Sequence, residues 1–112
     1  MELKNAVISR AWIGIEDHGI LSFMLTLNYG GSAQGFGGVS LDWGKPGEKK
    51  SAPSSWIREI LEVVEVPSWH ELQGKSVVAI IDRGMVVGIR NYLKESLEFR
   101  PEEWFKKIGI LE

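Results

Sequence analysis

This chain of 112 residues contains no cysteine. Disulfides, cysteine-ligated zinc and thiol catalysis are excluded at once. No run of about 18 apolar residues is present, so nothing is expected to span a membrane. An excess of charge is missing too: the formal net charge is −2 and the pI is near 5.7. A general nucleic-acid binder usually carries a basic face or stripe, so a DNA partner is not expected. The start, Met1-Glu-Leu-Lys-Asn-Ala, lacks the basic and then apolar build of a signal peptide, which makes the cytosol the default.

What is present reads as one soluble domain, 1–112. The length is close to the common domain size, and such a chain buries roughly 65% of its unfolded surface. An apolar fraction of 44% and a charged fraction of 25% are ordinary for that class. No repeats, charge blocks or long linkers divide it.

The richest local signal is Asn28 to Trp43, where five of the 13 glycines fall between Gly30 and Gly38, with Tyr29, Phe36 and Trp43 among them. Glycine lets another surface approach the backbone closely, and neighbouring rings offer flat faces for a nucleobase. The same glycines also suit a bulged or bent hairpin that only serves the turn. Both readings stand at this point.

Alternation predicts strands over Asn5–Ile15 and Ile20–Tyr29, joined by the Glu16-Asp17-His18-Gly19 turn, and a third over Gly37–Asp42. In the first, Ala6, Ile8 and Arg10 share one side and Val7, Ser9 and Ala11 the other. Trp43–Ser51 reads as an exposed loop. A helix is predicted over Pro53–Val64, its apolar stripe being Trp56, Ile57, Ile60, Leu61 and Val64, with Pro67 ending it. Ser68 and Glu71 fit a capping box for a short turn up to Gly74. Ser76–Ile81 and Met85–Tyr92 form a second hairpin around Asp82-Arg83-Gly84. A last helix is expected from Pro101 to about Ile108, with Gly109 as its stop. The order is β-β-β-α-β-β-α, an α+β class built from an antiparallel meander, a second hairpin and two main helices. Trp12, Trp56, Trp69 and Trp104 are expected in the core.

Catalytic constellations are weak. Glu16, Asp17 and His18 are the only tight cluster of acid and imidazole, and adjacent strand residues point to different sides. That cluster is read as a turn held by Asp17, and no metal or catalytic residue is assigned. Gly35-Phe36-Gly37-Gly38 leads into a strand rather than a helix N-terminus, so it is no phosphate loop, although its amides suit a small anion nest. Arg90 and Asn91 can supply a guanidinium fork to phosphate and an amide to a base or ribose edge, or can simply be outer strand positions. Trp43, at a strand end beside a Gly/Pro loop, suits a contact surface.

Gly14-Ile15-Glu16-Asp17-His18-Gly19-Ile20, then Gln34-Gly35-Phe36-Gly37-Gly38 with Leu41-Asp42, resembles a family of small bacteriophage proteins. So do the later segments Ile57 to Val64, Val66 to Lys75 and the terminal Pro101-Glu-Glu-Trp104. The chain resembles the first-described type of Thoeris anti-defence proteins over nearly its whole length. It departs from them in carrying Trp43 and Pro46 where they have a tyrosine- and aspartate-rich stretch, and in lacking their Thr-Ala-Tyr-Gly run at 51–55. The resemblance implies a sponge: a protein in the host bacterial cytoplasm that sequesters a cyclic nucleotide immune signal without degrading it. The implied ligand is a glycocyclic ADP-ribose, with cyclic oligonucleotides held by some members, and the implied assembly is a dimer or hexamer. No cofactor is called for. The ligand residues expected on this reading are Gln34, Gly35, Phe36, Gly37, Trp43, Arg90 and Asn91. The alternative is a protein–protein inhibitor of another bacterial defence, such as a CRISPR nuclease, acting through the same aromatic, Gly-rich face.

Overall fold

A computed structural model of the chain describes residues 1–40 and 53–103. Six strands form one antiparallel sheet: β1 (Glu2–Ile15), β2 (Leu21–Tyr29), β3 (Ser32–Ser40), β4 (Ser76–Asp82), β5 (Met85–Asn91) and β6 (Glu98–Phe99). Helix α1 (Pro53–Val64) follows β3, a 3₁₀ turn covers Trp69–Glu71, and Pro101, Glu102 and Glu103 are again helical. The class is α+β, in close to the predicted order.

The sheet order is β3-β2-β1-β4-β5-β6. Long β1 belongs to both halves, pairing through Glu2–Val7 with β4 and through Val7–Ile15 with β2. Such sharing bends the sheet until its two sides approach. Gln34 on β3 spans the gap: its side-chain amide donates to the Gly84 carbonyl, and its Oε1 accepts from the Val86 N–H at 3.1 Å. The result is a partly open barrel of β1–β5, with β6 on the free edge of β5 and α1 packed between β3, β5 and β6.

Two tight turns set the registers. Tyr29 pairs with Ser32 across Gly30 and Gly31, both at positive φ, as a type I′ hairpin requires. Arg83 and Gly84 do the same between Asp82 and Met85. Thus the third strand begins at Ser32 rather than Gly37. The Gly-rich stretch is itself sheet, and Gly37 and Gly38, at φ 118° and 73°, form a bulge opposite Phe23 and Met24.

The inner face carries Ile8, Phe23, Leu25, Leu27, Val77, Ala79, Ile89 and Phe99, each with no exposed surface, and α1 adds Ile60 and Val63. Complete burial of such a side chain stabilises by about 1.5–3 kcal/mol. Aromatic rings close the helix end: Trp56 meets Phe36 at 5.3 Å, Phe99 at 5.4 Å and Phe23 at 5.9 Å between centroids, and Trp69 meets Phe23 at 5.5 Å. Trp56 and Trp69 therefore support the core as expected.

Helix α1 stops one turn short of Pro67. Glu65 takes a left-handed φ of 62°, and the Val66 N–H returns to the Leu61 carbonyl at 3.2 Å, the wiring of a Schellman end. The expected capping box at Ser68 does not form, because its backbone carbonyl, not its hydroxyl, accepts from Glu71 N–H.

Candidate functional site

A second bulge decides which side chains reach the outside of the sheet. Ile8 pairs with Leu27 and Arg10 with Thr26, which leaves Ser9 as an extra residue whose hydroxyl donates to the Thr26 carbonyl at 3.3 Å. A strand alternates with period two, so one inserted residue exchanges its faces. Beyond the bulge Ala11 lies opposite buried Leu25 on the inner side, while Arg10 and Trp12 turn outward opposite Thr26 and Met24. Arg10 therefore does not share a side with Ala6 and Ile8, and Trp12 is not a core residue. It is half-buried on the outer face.

Two glycines shape the surface around it. A Cβ built on Gly14 would lie 3.1 Å from Cζ2, 3.4 Å from Cε2 and 3.7 Å from Nε1 of Trp12, so the indole lies over Gly14. On β3 a Cβ at Gly35 would lie 2.8 Å from the Met24 sulfur, so this thioether lies down over Gly35. The outer face of β1–β3 is thus a low floor of indole, thioether and glycine backbone, with Thr26 within it. Arg10 stands exposed beside Trp12 and has no ion pair among the described residues.

The residues singled out in the sequence lie elsewhere, apart from Gly35 on β3; Gly37 sits in the bulge, where a Cβ would meet the buried Phe23 ring at 3.1 Å. Phe36 is 4% exposed, with its ring among Trp56 and Phe99, and offers no face to a base in this arrangement. Gln34 is the clamp between β3 and β5. Asn91 is buried: its Nδ2 donates to the Val63 carbonyl at 2.7 Å and to Glu65 Oε1 at 3.3 Å, and its Oδ1 accepts from the N–H groups of Leu93 and Lys94, both at 2.9 Å. This one amide caps the C-terminal end of α1 and organises the turn after β5. Arg90 directs Nε and Nη2 to Glu98 Oε1 at 3.1 and 2.8 Å, and Glu98 Oε2 is 2.9 Å from Arg100 Nε. A phosphate at Arg90 has to displace that carboxylate. Trp43 and Trp104 lie outside the described residues.

In the first hairpin turn the Gly19 N–H donates to the Glu16 carbonyl and His18 Nδ1 is 3.4 Å from the Glu16 carboxylate, so Glu16 rather than Asp17 is the partner. Among the described residues no three acidic or histidine side chains converge as metal ligands, and no helix is long and apolar enough to cross a membrane. Of the acidic groups, Glu59 on α1 has its pKa raised, first by burial and then by repulsion from and hydrogen bonding to Glu62.

Comparison with protein-family models, with curated proteins and with solved structures finds no match.

Proposed function

We propose that this protein is a non-enzymatic binder that captures a cyclic nucleotide signal and holds it intact, as a phage anti-defence sponge in the host cytoplasm would. The observation that carries the reading is the outer face of β1–β3, where Gly14 and Gly35 carry no side chains and Trp12 and Met24 lie over them, a low apolar surface among the described residues that suits a planar ligand. Sequestration needs a preformed surface whose binding energy is not divided with a chemical step. A bulged and twisted sheet tied by hydrogen bonds supplies that rigidity. Two further points support the ligand class. The residue pattern resembles the Thoeris anti-defence sponges. A partly open five-stranded barrel in the order β1-β2-β3-β5-β4 also has the architecture of the OB fold, whose strand 2–3 face commonly holds oligonucleotides or oligosaccharides. That second support is an analogy of fold alone.

The test incubates the purified protein with a cyclic ADP-ribose isomer, removes free ligand, denatures the protein by heat and identifies what is released. Intact ligand in near-stoichiometric amount is the expected result. Altered ligand would make the protein an enzyme. No retained ligand would favour the second reading, a protein–protein inhibitor of a host defence. That alternative draws on Leu3, Val7, Ile13, Ile15 and Ile20, which leave apolar surface exposed along β1 and its turn. A homo-oligomer belongs to the proposal, as the resemblance implies, and β6 ends the sheet among the described residues, where a strand edge invites pairing. Light scattering at micromolar concentration is expected to give at least twice the chain mass of 12.6 kDa, and a value of 12.6 kDa would overturn the oligomer.

A further inference from the structure

Resting on that reading, we propose that the outer face of β1 holds one nucleotide unit directly, with Trp12 stacking on the base and Arg10 contacting its phosphate. Three features converge on this pair. First, the indole lies against the backbone of Gly14, so close that a Cβ there would be 3.1 Å from the ring. Its inner side is supported by backbone, and its other side is the natural seat for a second planar ring. Stacking is available to any base, so this seat recognises a ring rather than a hydrogen-bonding edge.

Second, Arg10 and Trp12 are two residues apart beyond the bulge, hence on one face and about 7 Å apart along the strand. That interval is comparable with the distance from a base to its own phosphate. Third, Arg10 is exposed and free of ion pairs among the described residues, whereas Arg90 and Arg100 are both engaged with Glu98. A guanidinium without a carboxylate partner has its fork available to phosphate oxygens. In a chain of net charge −2, an anion needs such a local positive group. Met24, lying over Gly35 on the neighbouring strands, extends the floor with a polarisable thioether that packs well against rings. A neutral sugar would also stack on an indole, but it has no use for the guanidinium.

Calorimetric titration of wild type, Trp12→Ala, Trp12→Phe and Arg10→Ala with cyclic ADP-ribose, and with adenosine as the uncharged probe, tests the pair. Trp12→Ala is expected to weaken cyclic ADP-ribose binding roughly tenfold to a hundredfold, and Trp12→Phe to restore most of it. Arg10→Ala is expected to weaken the phosphorylated probe about threefold to tenfold and to leave adenosine unchanged. Circular dichroism and a thermal melt on each variant establish folding. Gly14→Ala, which crowds the indole without removing it, repeats the test in a second way if Trp12→Ala does not fold. Wild-type affinity in folded Trp12→Ala, or in Gly14→Ala in its place, overturns this site while leaving sequestration intact. Failure of wild type to bind or retain either probe overturns both.

Discussion

Trp56 and Trp12 sit on opposite sides of one sheet and meet different neighbours. Trp56 lies within 6 Å, centroid to centroid, of Phe23, Phe36 and Phe99, tilted or edge to face, so its surface is committed to other rings. Trp12 has no aromatic neighbour among the described residues and rests instead on the backbone of Gly14. Hydrophobicity does not separate the two. What separates them is the partner each finds: a closed cluster of rings in one case, the backbone of a glycine in the other, and only the second is proposed to take a ligand. Aromatic content close to a Gly-rich strand thus points to a ligand only after the faces of the sheet are known.

The strongest way to break the contrast is on the inner side. Phe36→Ala is expected to destabilise the protein by about 3–5 kcal/mol, as removal of a buried aromatic does, with urea unfolding as the measure. A small stability change with a large loss of ligand would place Phe36 in the binding surface instead. Next in size is Asn91→Ala, which leaves the Val63 carbonyl and the N–H groups of Leu93 and Lys94 without their side-chain partner. A loss of about 1–3 kcal/mol is expected for such unsatisfied groups, with loosening of the end of α1 visible in hydrogen exchange. Trp12→Ala should change stability by no more than about 1 kcal/mol, because the residue is outside the core. A loss comparable to that of Phe36→Ala would show that the two faces are not distinct.

The smallest effect concerns α1. With its folded-state pKa raised, Glu59 binds its proton more tightly in the native protein than in the unfolded chain. The ionised form is therefore penalised by folding, and this penalty is present above the folded pKa and vanishes below the unfolded value of 4.5. Glu59→Gln should raise the melting temperature slightly at neutral pH and leave it unchanged in acid. A lower melting temperature at neutral pH would contradict that cause.

Much of the fold was legible because local signals agreed. Period-two alternation in β2, the stripe on α1 and the Gly-containing turns each named their element, and Pro53–Val64 ends where the pattern does. The site was less legible because one residue, Ser9, changes the phase of β1. Strict alternation places Arg10 with Ile8 and sends Trp12 inward, whereas the bulge reverses both. One signal was available: Trp12 and Gly14 are two apart, the spacing at which a ring can lie over a glycine on the same face. Arg90 and Asn91 were misleading for a different reason. Their chemistry suits a ligand, but the carboxylate of Glu98 and the end of α1 come close only in three dimensions.

On the proposed function, nucleotide meets the outer face of β1–β3 and not the aromatic cluster inside. Indole N–H resonances report on each tryptophan separately, so titration of ¹⁵N-labelled protein with cyclic ADP-ribose, with assignments from single Trp→Phe variants, tests it most directly. The Trp12 signal is expected to move progressively with added ligand, while those of Trp56 and Trp69 stay in place. A stationary Trp12 signal with shifts at Trp56 or Trp69 would contradict the claim and put the ligand at the helix end of the barrel.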